Sequence, residues 1–172
     1  PEERDLDLVI TGAEYGTGKR SGWLSSFIIS CRNDQHKVKR SDSVKETSHS
    51  RGGVKGMEEN SESERDKYLE IGKVSTGLKE KESESEISYE KLTKMLNPLI
   101  EKEKGKTVEI KPKIIVAVTY QEIQKSPNYK SGFALRFPRF TTLRTDRGLH
   151  DIATLEEVEK DFKNQKRNYR YG

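Results

Sequence analysis

Only one cysteine, Cys31, occurs in the 172 residues, so the chain can form no internal disulfide and suits a reducing cytosol. Cys31 closes an apolar run, the setting of a small buried side chain rather than of a nucleophile. The three histidines, His36, His49 and His150, are scattered through polar sequence without metal-ligand spacing, and no metal site is read from them. Also missing are an apolar run long enough to span a membrane and a signal-peptide pattern at the start. The chain begins at Pro1 without a methionine, directly before a strand-like pattern, so a fragment of a longer protein is expected. Apolar residues are scarce, 30% against 36% charged, with a mean hydropathy of −0.96. That balance excludes a uniformly packed globule and predicts one domain with a real core joined to an unfolded part.

The scarcity is concentrated in one place. Residues 33–68 hold no Leu, Ile, Phe or Trp, and their eight cations balance eight anions. Too little apolar surface is available there to offset the entropy of ordering the chain, so the stretch reads as a disordered hairpin insertion. A long surface loop costs a sheet little in closure entropy.

Apolar patterning is clear on either side. Leu6–Gly12 alternates and then turns fully apolar, a first strand. Glu14–Gly22 is a loop with three glycines and the adjacent cations Lys19 and Arg20. Its backbone could approach a phosphate, but the spacing is not that of a P-loop. Trp23–Cys31 is a second strand with Leu24, Phe27, Ile28 and Ile29 as core candidates, and Leu69–Val74 a third. Leu92, Met95, Leu96 and Leu99 fall at helical spacing, predicting a helix from Ile87 to about Ile100, capped by Ser85 or Ser88 and bent or ended by Pro98. Lys113–Tyr120 is rich in β-branched residues, and Phe133–Leu143 forms a last strand or pair of short strands. Thr154-Leu155-Glu156-Glu157 is a capping box opening a helix with Leu155, Val158 and Phe162 along one side; its basic tail, Lys163–Arg170, is expected to fray.

Five strands with a helix between the third and fourth is the order of an OB fold, a partly open barrel. The expected fold is therefore mainly β: a five-stranded OB-fold barrel with that helix, a C-terminal helix and a long disordered hairpin insertion. Residues 1–150 form the OB-fold domain, with 33–68 as the insertion, and 151–172 the C-terminal helix and basic tail.

Charge leans toward a polyanionic partner, with a net +4 and a pI of about 9.0. From Lys104 to Arg147 ten Lys and Arg face three Asp and Glu, a local +7. Within this span, Arg136 to Arg147 sets four arginines and one aspartate among Phe, Leu and Pro. The planar, always-charged guanidinium suits phosphate. Pro138 argues against a central strand and for a bend or strand end. If Phe137, Phe140 and Leu143 pack inward, the arginines between them stand on a rigid base. The same residues also fit a basic strand on a solvated face.

Arg136-Phe137-Pro138-Arg139 followed by Arg144-Thr145-Asp146-Arg147 resembles the last nucleotidyltransferase motif of ATP-dependent DNA ligases, R-F-P-R, a spacer, then R-x-D-K. Arg147 stands where that pattern has lysine. Asp7-Leu8-Val9-Ile10, Gly12-Ala13 and Gly18-Lys19-Arg20 resemble the first hairpin of the ligase C-terminal domain, and the run from Gly72 to Gly77 fits the same pattern. The resemblance covers most of the chain outside 33–68, where the family has a short turn, and is nearest to archaeal and eukaryotic replicative-type enzymes. Those enzymes seal nicks in duplex DNA during replication, repair and recombination. They do so by adenylation of a lysine with ATP, transfer of AMP to the 5′ phosphate, and attack by the 3′ hydroxyl. The lysine belongs to a K-x-D-G motif, which this sequence lacks. The resemblance thus implies the C-terminal OB domain alone, inactive without its adenylation domain.

By the same resemblance, Arg144, Asp146 and Arg147 act catalytically on the pyrophosphate leaving group, and Arg136 and Arg139 join Arg144 and Arg147 in binding ATP. Lys19, Arg20 and Lys73 are implied on a DNA-binding face. ATP and Mg²⁺ are the cofactors of the whole enzyme, bound mainly by the missing adenylation domain, with no metal held here. The implied partners are nicked duplex DNA, the adenylation domain of the same polypeptide and a sliding clamp, in the cytoplasm or, in a eukaryote, the nucleus. The alternative is a stand-alone OB module that binds nucleic acid without catalysis. Backbone binding alone needs no aspartate among the arginines, which favours the ligase. A capping-type RNA guanylyltransferase shares the R-x-D-K idea, but R-F-P-R fits DNA ligases better.

Overall fold

A computed structural model describes residues 4–18, 21–34, 66–75 and 88–171, with side chains described as far as residue 165. The strands are β1 (Arg4–Tyr15), β2 (Leu24–Arg32), β3 (Tyr68–Val74), β4 (Ile100–Lys104), β5 (Thr107–Ile110), β6 (Ile115–Tyr120), β7 (Glu122–Lys125), β8 (Phe133–Arg136) and β9 (Arg139–Leu143). Helix α1 (Tyr89–Leu96) follows β3, and α2 (Leu155–Tyr171) ends the fold. Seven strands form one sheet in the order β3-β2-β1-β5-β4, with β6 added to β1 and β9 to β6, while β7 and β8 make a separate two-stranded ribbon.

Strand β1 is the axis of this arrangement. Its first half, Arg4 to Val9, pairs with β6; its second half pairs with β2 on one side and β5 on the other. A register shift between Ile10 and Gly12 marks the change of partners. A Cβ at Gly12 would lie 3.2 Å from Ile28 Cγ1 and 3.3 Å from the Val108 carbonyl oxygen, so a side chain there would press on both flanking strands. The sheet curls until β3 packs beside β8, where Ser131 N donates to the Glu70 carbonyl at 3.2 Å. That is the partly closed barrel of the OB type.

One face of the curl encloses Leu8, Ile10, Leu24, Phe27, Ile29, Ile71, Val116, Val118 and Phe140, all buried. The Phe27 and Phe140 rings meet at 5.6 Å. Each such side chain contributes on the order of 1.5–3 kcal/mol by leaving water. Leu92 and Leu96 of α1 cover the barrel, and Thr93 Oγ1 accepts from Leu24 N at 2.9 Å, tying the helix to β2. Ser88 caps α1 by accepting from Lys91 N at 3.0 Å, and Pro98 sits in the 3-10 turn (Asn97–Leu99) that ends it. The helix is thus shorter than its apolar spacing predicts. On the opposite face of β1, Val9, Tyr68, Ile115 and Ile152 form a small second core.

The five expected strands and the intervening helix occur in the expected order. Tyr68, assigned to the insertion from sequence, is buried at the start of β3. The ends of the insertion are also tied together, with Asn33 N donating to the Lys67 carbonyl at 2.7 Å, and residues 35–65 lie outside the described residues. Two elements were not foreseen, the hairpin β4–β5 and the short strand β7. β4 is exposed along most of its length and reads IEKEK, with no buried alternation to mark it; only the turn at Gly105, with φ +60°, betrays the hairpin. The capping box of α2 is present: Thr154 Oγ1 accepts from Glu157 N at 3.2 Å, and Glu157 Oε1 accepts from Thr154 N at 2.9 Å. The helix does not fray at Lys163 but continues to Tyr171. Gln165 anchors it by a side-chain amide that accepts from Ile123 N at 3.0 Å and donates to the Ile123 carbonyl. Lys, Gln and Arg are also good helix formers.

Candidate functional site: an arginine turn at the sheet edge

Alternation along β9 points Phe140 into the core and sends its neighbours outward. The ladder aligns Arg139 with Thr119 of β6, and Thr119 with Asp5 of β1. These three share the outer face of the sheet, where Thr119 Oγ1 donates to Asp5 Oδ1 at 2.7 Å. Asp7, two residues along β1, faces the same way. Beyond Leu143 the chain leaves the sheet after one last bond, Arg144 N to the Ile115 carbonyl at 2.8 Å.

The turn that follows gathers the charges. Arg144 Nε lies 3.4 Å from Asp146 Oδ1, and its Nη2 donates to Oδ2 at 3.5 Å. Arg147 Nε lies 3.9 Å from Asp146 Oδ2 and 3.7 Å from Asp7 Oδ2. Asp146 is 69% exposed and so strongly screened, and each of its pairs contributes at most about 1 kcal/mol. Backbone contacts fix the turn instead. Asp151 accepts from Gly148 N at 2.9 Å, Ala153 N donates to the Asp7 carbonyl at 2.9 Å, and Arg32 N donates to the Ala153 carbonyl at 2.8 Å. The Gly148 hydrogen bond, helped by nearby His150 and Arg147, holds the Asp151 carboxyl below its ordinary pKa.

The candidates from sequence divide among several places. Arg144, Asp146 and Arg147 come together in the turn, and Arg139 stands on the adjoining sheet face. Arg136 is carried elsewhere, on the ribbon, where it pairs with Glu122 at 3.5 Å and lies over the Phe137 ring at 5.0 Å. Phe137 does not pack inward as expected: it is 63% exposed, with φ +53°. The chain bends between β8 and β9 at Phe137-Pro138, and the left-handed backbone there turns the ring outward. Phe140 is buried as expected, and Leu143 is only half-buried. Lys73 Nζ pairs at 2.9 Å with Glu14 Oε2, while Lys19 and Arg20 lie outside the described residues. Sequence reading overlooked Asp7 and Glu14. The alternation Asp5-Leu6-Asp7-Leu8 carried the signal for Asp7, since it puts both aspartates on the face opposite the core leucines.

No group of three or more His, Cys, Asp or Glu among the described residues is placed to hold a metal. A groove of about 200 Å³, lined in part by Thr11, Ser30, Tyr68, Glu70, Glu109 and Lys130, shares no residue with the arginine turn. Its two carboxylates against one lysine suit a polyphosphate poorly. Cys31 is buried and unpaired, and burial pushes its thiol up to about 12, out of reach as a nucleophile. No described helix is long and apolar enough to cross a membrane.

A curled OB-type barrel with an arginine–aspartate turn at its last strand defines the class. Residues 56–147 match the family described as the ATP dependent DNA ligase C terminal region, and the chain belongs to that family. It is 42% identical over 167 residues to a DNA ligase of Nanoarchaeum equitans, covering 96% of this chain and 24% of that protein. To a DNA ligase of Archaeoglobus fulgidus it is 42% identical over 160 residues, covering 93% and 22%. The chain thus spans about a quarter of the length of these relatives. The fold is also that of the ligase domain of Mycobacterium tuberculosis LigD, with a TM-score of 0.55 at 20% identity over 88% of this chain and 38% of that one. A mycobacterial DNA ligase D complexed with ATP and MES gives a TM-score of 0.51 at 18% identity, covering 87% and 37%.

Proposed function

We propose that this chain is the OB-fold unit of a nick-sealing DNA ligase and that its arginine turn acts on the triphosphate of ATP while a lysine of a separate adenylation domain is adenylated. The observation that carries this reading is the single aspartate held between Arg144 and Arg147. A grip on a DNA backbone needs cations alone. An in-line displacement needs cations held in fixed directions, because charge develops on the departing pyrophosphate oxygens as the new P–N bond forms. Arg144 and Arg147 fit that anion, and Asp146 lies between their forks. Arg139, on the adjoining face, extends the positive surface, and Arg136 reaches the nucleotide only from the ribbon.

Among the described residues no set of carboxylates fits Mg²⁺, so the rest of the enzyme would hold it. After adenylation the OB unit closes on nicked duplex DNA, with Lys19, Arg20 and Lys73 on the face toward it. The pair with Glu14 makes Lys73 the weaker contributor. Residues 1–150 carry these roles, and 151–172 buttress them.

The test is made in the full-length ligase. Arg144→Ala should slow enzyme–AMP formation by about 10²–10³-fold, the usual cost of one charge-stabilising contact. Sealing of a nick that already carries AMP expels no pyrophosphate and should be nearly unchanged. Equal losses in both assays would make the turn a DNA-gripping surface, and the stand-alone binding module would then be the better reading.

A further inference from the structure

We propose that Asp7 is the positioning residue for Arg147, fixing from strand β1 the guanidinium that faces the triphosphate; this rests on the function proposed above. Two carboxylates approach Arg147, Asp7 at 3.7 Å and Asp146 at 3.9 Å, and both approach its Nε. Nε is the inner corner of the fork, so the two terminal nitrogens remain for phosphate oxygens.

The two carboxylates differ in stiffness. Asp146 is 69% exposed on a turn, whereas the Asp7 side chain is 21% exposed and stands on the sheet. Asp7 is paired with Ala117 in the β1–β6 ladder, and its carbonyl accepts from Ala153 N at 2.9 Å. An unrestrained arginine samples many rotamers, and a restraint from a fixed strand removes most of them before the ligand arrives. The replacement of lysine by arginine at position 147 follows the same logic. A lysine concentrates its charge at one atom and cannot bind Asp7 and a phosphate through different nitrogens, as the fork does.

The experiment has two arms. In this chain, the exchange of the Arg147 Nε–H proton is followed by NMR in the wild type, Asp7→Asn and Asp7→Glu. Asp7→Asn should speed that exchange while amide signals away from the turn stay in place, and Asp7→Glu should restore part of the protection. In the full-length ligase, Asp7→Asn should lower kcat/KM for enzyme–AMP formation by about two- to fivefold, the range for a partly exposed ion pair, with sealing of pre-adenylated nicks unchanged. In an Arg147→Ala background it should have no further effect. Exchange unaffected by Asp7→Asn, or an equal activity loss with and without Arg147, overturns the proposal. If the exchange responds but Arg147→Ala leaves enzyme–AMP formation intact, the proposed function falls, and the catalytic relevance of Asp7 falls with it.

Discussion

The arginines of one short stretch end on two supports of unequal stiffness. Arg144 and Arg147 leave the edge of a seven-stranded sheet whose inner face carries the main core, and a backbone bond returns their turn to β6. Arg136, on the far side of the bend at Phe137, belongs to a two-stranded ribbon, a unit that is marginal unless something braces it. Helix α2 is the brace, through Gln165 and through the contact of Phe162 with Phe133 at 5.2 Å. Directional chemistry needs a group whose orientation is settled beforehand, whereas a cation that collects charge near a surface does not. Under the proposed function, the stiffer pair is the one that acts on the triphosphate, and Arg136 takes the more yielding role.

The comparison can be broken hardest from below the sheet. Phe140 is 3% exposed against Phe27, and Phe140→Ala should cost about 3–5 kcal/mol in urea unfolding. A loss under about 1 kcal/mol would mean that the edge carrying the turn is not firmly packed.

Next in size is the junction between sheet and ribbon. Tyr120 ends β6, is 1% exposed, and its hydroxyl has no hydrogen-bond partner among the described residues. Burial, reinforced by the Asp161 carboxylate, pushes its phenol up from 10.0 to about 12. The unfolded chain releases this proton near pH 10 and the folded chain holds it to about pH 12. Its contribution is therefore complete below pH 10 and lost as the pH rises to 12. Wild-type stability should fall across that window by up to roughly 2–3 kcal/mol more than that of Tyr120→Phe. At pH 7 the variant should be no less stable, since no hydrogen bond is removed. Parallel alkaline limbs for the two proteins would rule the shift out.

The smallest effect separates the supports. Gln165→Ala should cost about 1–2 kcal/mol and speed hydrogen exchange at the Ile123 amide by about tenfold, leaving the β1–β6 amides protected. If both sets of amides loosen together, ribbon and sheet are one unit and the contrast fails.

The sequence made the fold legible where one face of an element is buried and the other wet. The alternation of Leu6 and Leu8 with Asp5 and Asp7, and the spacing of Leu92 and Leu96 on α1, carry their own signal. It hid the elements that bury little. β7 contributes Ile123 to the core, and β4 no fully buried side chain. Of the site, the arginines and their aspartate could be read from local spacing, whereas the Asp7–Arg147 contact could not. Its partners are separated by most of the chain, and only the β1–β6–β9 ladder brings them together. Phe137 was misread for a local reason, since one residue of left-handed backbone reverses the side that alternation assigns.

The Gln165 amide has a consequence outside catalysis. β7 offers an N–H and a carbonyl at Ile123 on its rim, the kind of open margin along which two copies of a protein can zip together. By occupying both groups at once, the helix imitates a neighbouring strand that stops after one residue. The contact that steadies the ribbon thus also takes up the two groups at Ile123 that a further strand would need.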